Sequence, residues 1–405
     1  MSATRHFDIV IAGGGMVGLA LACALCDSAY QIALIEAREF PAPALWAGAE
    51  PGDFDPRVSA LTVASQQFFS ELGVWQAIVA QRACAFDSMH VWDAAGNAEI
   101  DFKARDLRQP VLGHIVENRV TLQALLATVQ TSKNITLYCP QSVQDADLGT
   151  TENQPVELRL RNGERLTTQL LVAADGGQSR MRELAGFATR QWSYGQLAIV
   201  TTVRTERPHQ HTARQRFLPT GPLAFLPLSD SEQRCCSIVW SATDEHANAL
   251  LALDDNAFAS ALAEAFEHRL GAVQELARRY SFPLQQRHST SYVKPGVALL
   301  GDAAHVIHPL AGQGANLGIQ DVRVLADELQ RAFARDLQPG CMHVLERYQR
   351  RRMGSNLLMM GAVEGFKRVF AESSLPVRWL RNTGMRRLNT LAPIKQHIMR
   401  QAMGL

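Results

Sequence analysis

FDIVIAGGGMVGLALACALCDSAYQIALIE, residues 7–36, reads as one folding unit. Residues 7–12, FDIVIA, are rich in β-branched side chains, the composition of a strand buried on both faces. Gly13 to Gly18 interrupt the run, Leu19 to Cys26 continue at helical length, and residues 31–36, QIALIE, form a second strand. A strand, glycine turn, helix and strand in this order open a dinucleotide-binding fold. Gly13-x-Gly15-x-x-Gly18 permits a tight bend and lets backbone N–H groups approach a pyrophosphate seated on a helix N-terminus. That glycine pattern is weak by itself. Here Glu36 ends the second strand, where an acid accepts a bond from a ribose hydroxyl, and a merely structural turn does not explain it.

The rest of the chain bounds what surrounds this unit. Its 405 residues exceed one hydrophobic core, so two domains or a discontinuous pair are expected. With 40 basic and 39 acidic residues the net charge is +1, which supplies no global field for nucleic acid. The seven cysteines are odd in number and irregular in spacing, against a disulfide framework and in favour of a reducing cytoplasm. Cys23 and Cys26 form a CxxC, but they lie in an apolar helical run with no second CxxC and no nearby His; small buried helix residues explain them better than redox or metal chemistry. Asp8 and the glycines break the apolar stretch 7–25, so it reads as neither a secretory core nor a membrane span. No spacing of His, Cys and carboxylates suggests a metal site.

Further along, residues 56–82 are expected to be mixed and helical, ending near 72–75, 86–102 a hairpin turning at 94–97, 117–130 a helix, and 156–161 with 166–174 two strands joined at Asn162-Gly163. From about 185 to 285 short strand-like runs separated by Pro, Gly and Asp suggest a mostly antiparallel sheet. The strand at 297–305 and helices at 315–335 and 342–370 follow. The expected division is a discontinuous cofactor domain at 1–75, 103–184 and 286–340, a substrate domain at 76–102 and 185–285, and a helical C-terminal region at 341–405.

Two more motifs carry chemistry. Gly301-Asp302-Ala303-Ala304-His305 is followed by Pro309 and by Gly312-Gln313-Gly314-Ala315-Asn316. A carboxylate at a strand end suits a ribitol hydroxyl, and small residues let a helix N-terminus come close to a flat ring, where N–H groups from 312 to 316 support negative charge on a reduced isoalloxazine. Asp175-Gly176, with Ser179 and Arg182, directly follows the strand LLVAA. Alone it is only a turn.

Together the three motifs resemble the group A flavoprotein monooxygenases, the fold of para-hydroxybenzoate hydroxylase. Within them the chain is most similar to the ubiquinone-biosynthesis hydroxylases, through AGGGMVGLALA at 12–22, RVSAL at 57–61, LGVW at 72–75, GHIVEN at 113–118, FLPLSD at 225–230, GDAAHVIHPLAGQGANLG at 301–318 and IMRQAMGL at 398–405. The resemblance spans essentially the whole chain and leans toward the hydroxylases of 2-polyprenylphenols. It implies an α/β fold: a Rossmann-like FAD-binding domain of the glutathione-reductase type, a mostly antiparallel substrate sheet, and C-terminal helices. It implies non-covalent FAD, with NADH or NADPH docking transiently as reductant, since no second GxGxxG is present. Gly13, Gly15 and Gly18 would face the pyrophosphate and Glu36 the adenosine ribose. Arg57 and Arg119 would reach the ribityl and phosphate region, unless they merely pair with carboxylates. Asp175 would serve both FAD and the nicotinamide, Asp302 the ribityl chain or pyrophosphate, and Pro309 with Gly312, Gln313, Gly314, Ala315 and Asn316 the isoalloxazine. Ala315 stands where close relatives often carry Val. The implied reaction is hydroxylation of a polyprenylated phenol by O2 through a flavin C4a-hydroperoxide.

His305 and His308 flank the flavin loop and admit an acid–base reading, although a His pair at this spacing is more often structural. Residues 373–405 carry six basic and no acidic residues among Trp, Leu, Ile and Met, a composition suited to a membrane surface, to a ubiquinone-synthesis complex, to a homo-oligomer interface or to packing on the protein itself. The expected location is cytoplasmic, peripheral at the inner membrane. Two other functions stay open: a same-fold flavin oxidoreductase acting on an isoprenoid lipid, and a flavin-bound assembly subunit of a lipid-synthesis complex.

Overall fold

In a computed structural model of the chain, residues 4–42, 48–94, 96, 99–149, 154–307, 313–371 and 391–404 are described. The strand Arg5–Ala12 lies inside a sheet ordered Val293–Lys294, Val297–Leu299, Arg165–Ala173, Arg5–Ala12, Ile32–Ile35, Ile135–Tyr138. All neighbours pair in parallel except the first two strands, which form an antiparallel edge. Ile9, Val10 and Ile11 are wholly buried, as the unbroken apolar run requires of a strand covered on both faces. Val143–Asp147 and Val156–Leu160 extend Arg165–Ala173 as an antiparallel flap.

The second sheet runs His305–Val306, Tyr280–Ser289, Thr189–Thr205, Cys235–Thr243, Gly221–Pro227, Thr212–Leu218, Ser88–Asp93, Glu99–Lys103, with Val273–Leu276 beside Thr189–Thr205. It is antiparallel except where Thr212–Leu218 meets Ser88–Asp93. Helices Asp244–Ala252 and Asp255–Ala265 cover one face, over a core in which Phe225 stacks on Phe266 with centroids 3.7 Å apart, beside Trp240 and Phe258.

Three places differ from the sequence reading. Within the expected helical stretch 56–82, Val58–Thr62 is a strand, paired antiparallel with Gly113–Glu117, and helices begin only at Val63. Val58 and Ala60 pack there against Phe54, Ile115 and Cys235, so tertiary pairing overrides local helix preference. Ala83–Phe86 also pairs with Gly113–Glu117 instead of joining the substrate sheet, whereas Ser88–Asp93 and Glu99–Lys103 do join it. At the other seam the substrate sheet extends past residue 285: His305–Val306, inside the second motif, pairs with His288 and Arg287.

The glycines set how closely the elements meet. Gly13 has φ +112°, and a side chain there would strike the Ala174 carbonyl; one at Gly18 would strike the Gly13 carbonyl. Helix Met16–Ala24 also lies against helix Gln313–Phe333, where a Cβ at Gly318 would stand 2.8 Å from Val17 and 3.5 Å from the Gly301 Cα. Because Val17 and Gly318 lie near the starts of their helices, this contact gathers both N-termini beside the turn Gly301–Ala303.

Gly18→Ala is expected to destabilise the ligand-free chain by about 1–3 kcal/mol, because backbone must move to admit the methyl group. Urea unfolding of apoprotein measures it, and an unchanged midpoint contradicts the packing described.

Candidate functional site

The first motif forms a cradle at the mouth of the parallel sheet. Gly15 precedes helix Met16–Ala24 with φ −71°, and no protein atom lies within 4 Å of where its Cβ would sit. That empty position differs from Gly13 and Gly18, whose missing side chains are dictated by neighbouring backbone. Glu36 accepts from the Gly14 N–H at 2.6 Å and the Arg38 N–H at 2.9 Å, so its carboxylate is fixed against the glycine turn while keeping lone pairs for a hydroxyl. Beyond it opens a cavity of about 340 Å³ lined by Ala37, Pro140, Gln141, Ser142, Arg161 and Asn162.

Asp302, in the turn Gly301–Ala303, is exposed, and no hydrogen bond holds its carboxylate among the described residues. The protein crowding it raises its pKa; His305 works against that rise and Asp321 adds to it. A carboxylate held in this way lacks a ligand of its own. Helix Gln313–Phe333 begins nearby, and a Cβ on Gly314 would meet open space. Ala315 is half-buried. The Asn316 side chain is committed elsewhere: it donates to Ala60 O at 2.8 Å and accepts from Thr62 N at 3.0 Å and Ser65 Oγ at 2.8 Å. At 316, therefore, backbone rather than side chain is offered to a ligand. Pro309, Gly312 and His308 lie outside the described residues, and so does the Gln313 side chain.

The third motif is tied to the second. Ser179 caps the short helix Arg180–Leu184, accepting from the Arg182 N–H at 3.0 Å, and Asp175 supports the cap by accepting from Ser179 Oγ and from the Met181 N–H at 3.1 Å. Buried Arg182 donates to Gly177 O at 3.0 Å and to Ala303 O at 3.1 Å, joining the Asp-Gly turn to the turn that carries Asp302. Arg287, from the substrate sheet, donates to the same Gly177 carbonyl.

The two expected cofactor arginines behave differently. Arg57 is exposed, and no side-chain partner holds it among the described residues. Arg119 bonds Glu117 at 2.7 Å and the Asp53 carbonyl. Glu117 is buried and also meets Arg82 at 3.4 Å and the Asp55 N–H at 2.7 Å. Arg82 in turn reaches Gly48 O at 2.8 Å, and Arg204 reaches Ala49 O at 3.1 Å. Glu117, Arg82 and Arg204 thus brace the segment that presents Arg57. Sequence reading missed them, although Glu117 lies inside the quoted GHIVEN. In the CxxC the Cys23 thiol donates to Leu125 O at 3.3 Å and burial pushes its pKa to about 12, and burial also raises the half-buried Cys26 thiol.

A family model described as an FAD binding domain matches residues 6–355. The 3-demethoxyubiquinol 3-hydroxylase of Escherichia coli is 37% identical over 402 residues, 98% of either chain. The ubiquinone hydroxylase UbiL of Rhodospirillum rubrum is 35% identical, over 100% of this chain and 91% of that one. Among solved structures, p-nitrophenol 4-monooxygenase PnpA from Pseudomonas putida superposes with a TM-score of 0.78 over 99% of each chain, at 16% identity, a likeness of fold.

Gly15→Ala should unfold with the unchanged chain yet bind FAD at least about tenfold more weakly, since its methyl group occupies only ligand space. Flavin fluorescence titration beside a melting curve separates the two; equal FAD affinity would contradict the cradle.

Proposed function

The chain belongs to the FAD-binding-domain family of flavin-dependent monooxygenases, and on that premise we propose that it hydroxylates the aromatic ring of a polyprenylated phenol in ubiquinone biosynthesis, consuming O2 and NADH or NADPH. The observation that carries the reading is two helix N-termini gathered around the turn that bears Asp302, whose carboxylate has no hydrogen-bond partner among the described residues, as the exposed Arg57 side chain has none among them. Relatives matched along nine-tenths or more of their length are named as a 3-demethoxyubiquinol 3-hydroxylase and a ubiquinone hydroxylase, which supports the substrate class.

FAD, when bound, supplies hydride acceptance from the nicotinamide and activation of dioxygen. The chain's own residues do the rest. In this reading Gly13, Gly15 and Gly18 admit the pyrophosphate at the start of helix Met16–Ala24. Glu36 takes the ribose, and the cavity beyond it receives the adenosine end. Asp302 and Arg57 take the ribityl and phosphate groups, and Arg119 steadies the same region through Glu117. The backbone at 312–316 stabilises negative charge on the ring. Asp175 holds the Asp-Gly turn in place for the nicotinamide to approach. The substrate sheet, joined to the flavin motif at His305–Val306, holds the phenol against the cofactor and keeps water out.

An apolar substrate of this class lies in a bilayer, and we place the enzyme at a membrane surface. Among the described residues no helix is long and apolar enough to cross one. Helix Ala392–Met403 packs inward through Met399 and Met403, with Lys395 paired to Asp106 at 3.1 Å, and turns Leu391, Ile394 and Ile398 outward. Ile394 is 51% exposed and Leu358, in helix Met342–Ala371, 70%. Trp379 and the arginines at 378, 381, 386 and 387 lie outside the described residues.

A strain lacking this chain should accumulate a polyprenylated phenol short of one ring oxygen, identified by mass spectrometry of its lipids. Unchanged quinone with an altered isoprenoid tail would point to the flavin oxidoreductase instead. A chain that binds FAD but never oxidises NADH or NADPH with any phenol would point to an assembly subunit.

Ile394→Glu with Ile398→Glu should leave the FAD site intact and reduce binding to anionic liposomes, most clearly at low salt. If the unaltered protein ignores such liposomes in flotation, or the variant floats equally well, the face is not a membrane contact.

A further inference from the structure

Behind the flavin motif lies a cluster of polar side chains that the cofactor contacts do not use. His305 Nε2 stands 2.5 Å from Asp321 Oδ2. Asp321 Oδ1 accepts from Arg352 Nε at 2.7 Å and from Asn356 Nδ2 at 3.1 Å. Arg352 spends its other donors on Gln320 at 3.2 Å and Asn356 at 2.7 Å. Asn356 also meets the Tyr292 hydroxyl at 3.4 Å, which His288 reaches at 3.2 Å. His288, Tyr292, His305, Asp321, Arg352 and Asn356 are all buried.

Such a cluster is expensive to desolvate, and apolar packing would serve stability as well. Its placement is informative. Asp321 comes from helix Gln313–Phe333, Arg352 and Asn356 from helix Met342–Ala371, His305 from the second motif, and His288 from the substrate sheet. The members thus come from the second motif, the substrate sheet and two helices. Burial works to raise the Asp321 carboxyl, but His305 and Arg352 outweigh it and hold it below its ordinary value. An ionised carboxylate only accepts, so the contact to His305 requires the proton on Nε2. Nδ1 of a neutral ring is then an acceptor, and it has no protein partner among the described residues.

We propose that Asp321 is a positioning residue for the hydroxylation: it fixes the place and tautomer of His305, so that an imidazole acceptor is kept next to the turn bearing Asp302 and the start of the flavin helix. This rests on the reading of residues 301–316 as the flavin loop. A structural role for Asp321 needs any donor at 305. A positioning role needs the imidazole, with its proton on Nε2.

Two holoenzyme variants separate these roles. In Asp321→Asn the Arg352 donor keeps the amide oxygen on its own side, so the amide N–H faces His305 and the ring proton moves to Nδ1. His305→Gln keeps a donor for Asp321 but offers no imidazole. Ring-nitrogen NMR of histidine-labelled enzyme, with His305→Gln identifying the signal, reads the tautomer. Visible circular dichroism reads the seat of bound FAD. Expected are Nε2–H in the unaltered enzyme, Nδ1–H in Asp321→Asn, and an altered flavin spectrum in both variants. With a short-chain 2-prenylphenol, product per NADH or NADPH consumed should fall about tenfold or more in both, with hydrogen peroxide making up the difference. His305→Gln with the unaltered spectrum and yield would overturn the proposal, as would Asp321→Asn with its proton still on Nε2. The NMR and dichroism measurements need no phenol. They remain decisive if the substrate class is wrong, and a phenol that fails with the unaltered enzyme marks that separate failure.

Discussion

The contact of Val17 with Gly301 and Gly318 governs the rest of the molecule. A helix N-terminus carries unpaired N–H groups and a partial positive charge, so one alone binds an anion loosely and two set side by side define a site. Here helices Met16–Ala24 and Gln313–Phe333, about three hundred residues apart in the chain, meet near their starts because no side chain at 301 or 318 holds them apart. The turn Gly301–Ala303 fits between them and carries Asp302 into the same hollow. Larger residues at those glycines would separate the half of the site suited to phosphate from the half suited to a ring.

Ionic groups then fix what the glycines bring close. Glu117, buried between Arg82 and Arg119, holds the segment leading to Arg57, and Arg204 pins the same segment to the substrate sheet. Arg182 and Arg287 converge on Gly177 from two domains. Asp321 does the same from behind the flavin motif. Removing Arg82 from Glu117, or Arg352 from Asp321, would cost on the order of 3–5 kcal/mol, because the carboxylate left behind stays buried. Arg182 and Arg287 tie the turn after the parallel sheet to the second sheet through one carbonyl.

What was legible in the sequence follows from range. Strand, glycine turn, helix and Glu36 are local, so their spacing alone carries them. The motif at 301–318 is also contiguous. Partner choice is not local. Nothing within residues 56–62 announces that Val58–Thr62 pairs with Gly113–Glu117, nor that Asn316 spends its amide on that strand. The same holds for Asp321 and Arg352, thirty-one residues apart on two helices; in sequence each is one more charge on a helix with many. Arg57 and Arg119 look equivalent as isolated arginines, and only the buried Glu117 tells them apart. His305 could be placed beside the flavin loop, but its partner could not.

The most direct test is where the oxygen atom goes. Purified holoenzyme is given NADH or NADPH and a short-chain 2-prenylphenol under 18O2, and the product is analysed by mass spectrometry. A phenol carrying one 18O on its ring, formed only when oxygen is present, is the expected result. A product formed without oxygen, or one whose new oxygen comes from water, would contradict a flavin hydroxylase at this site.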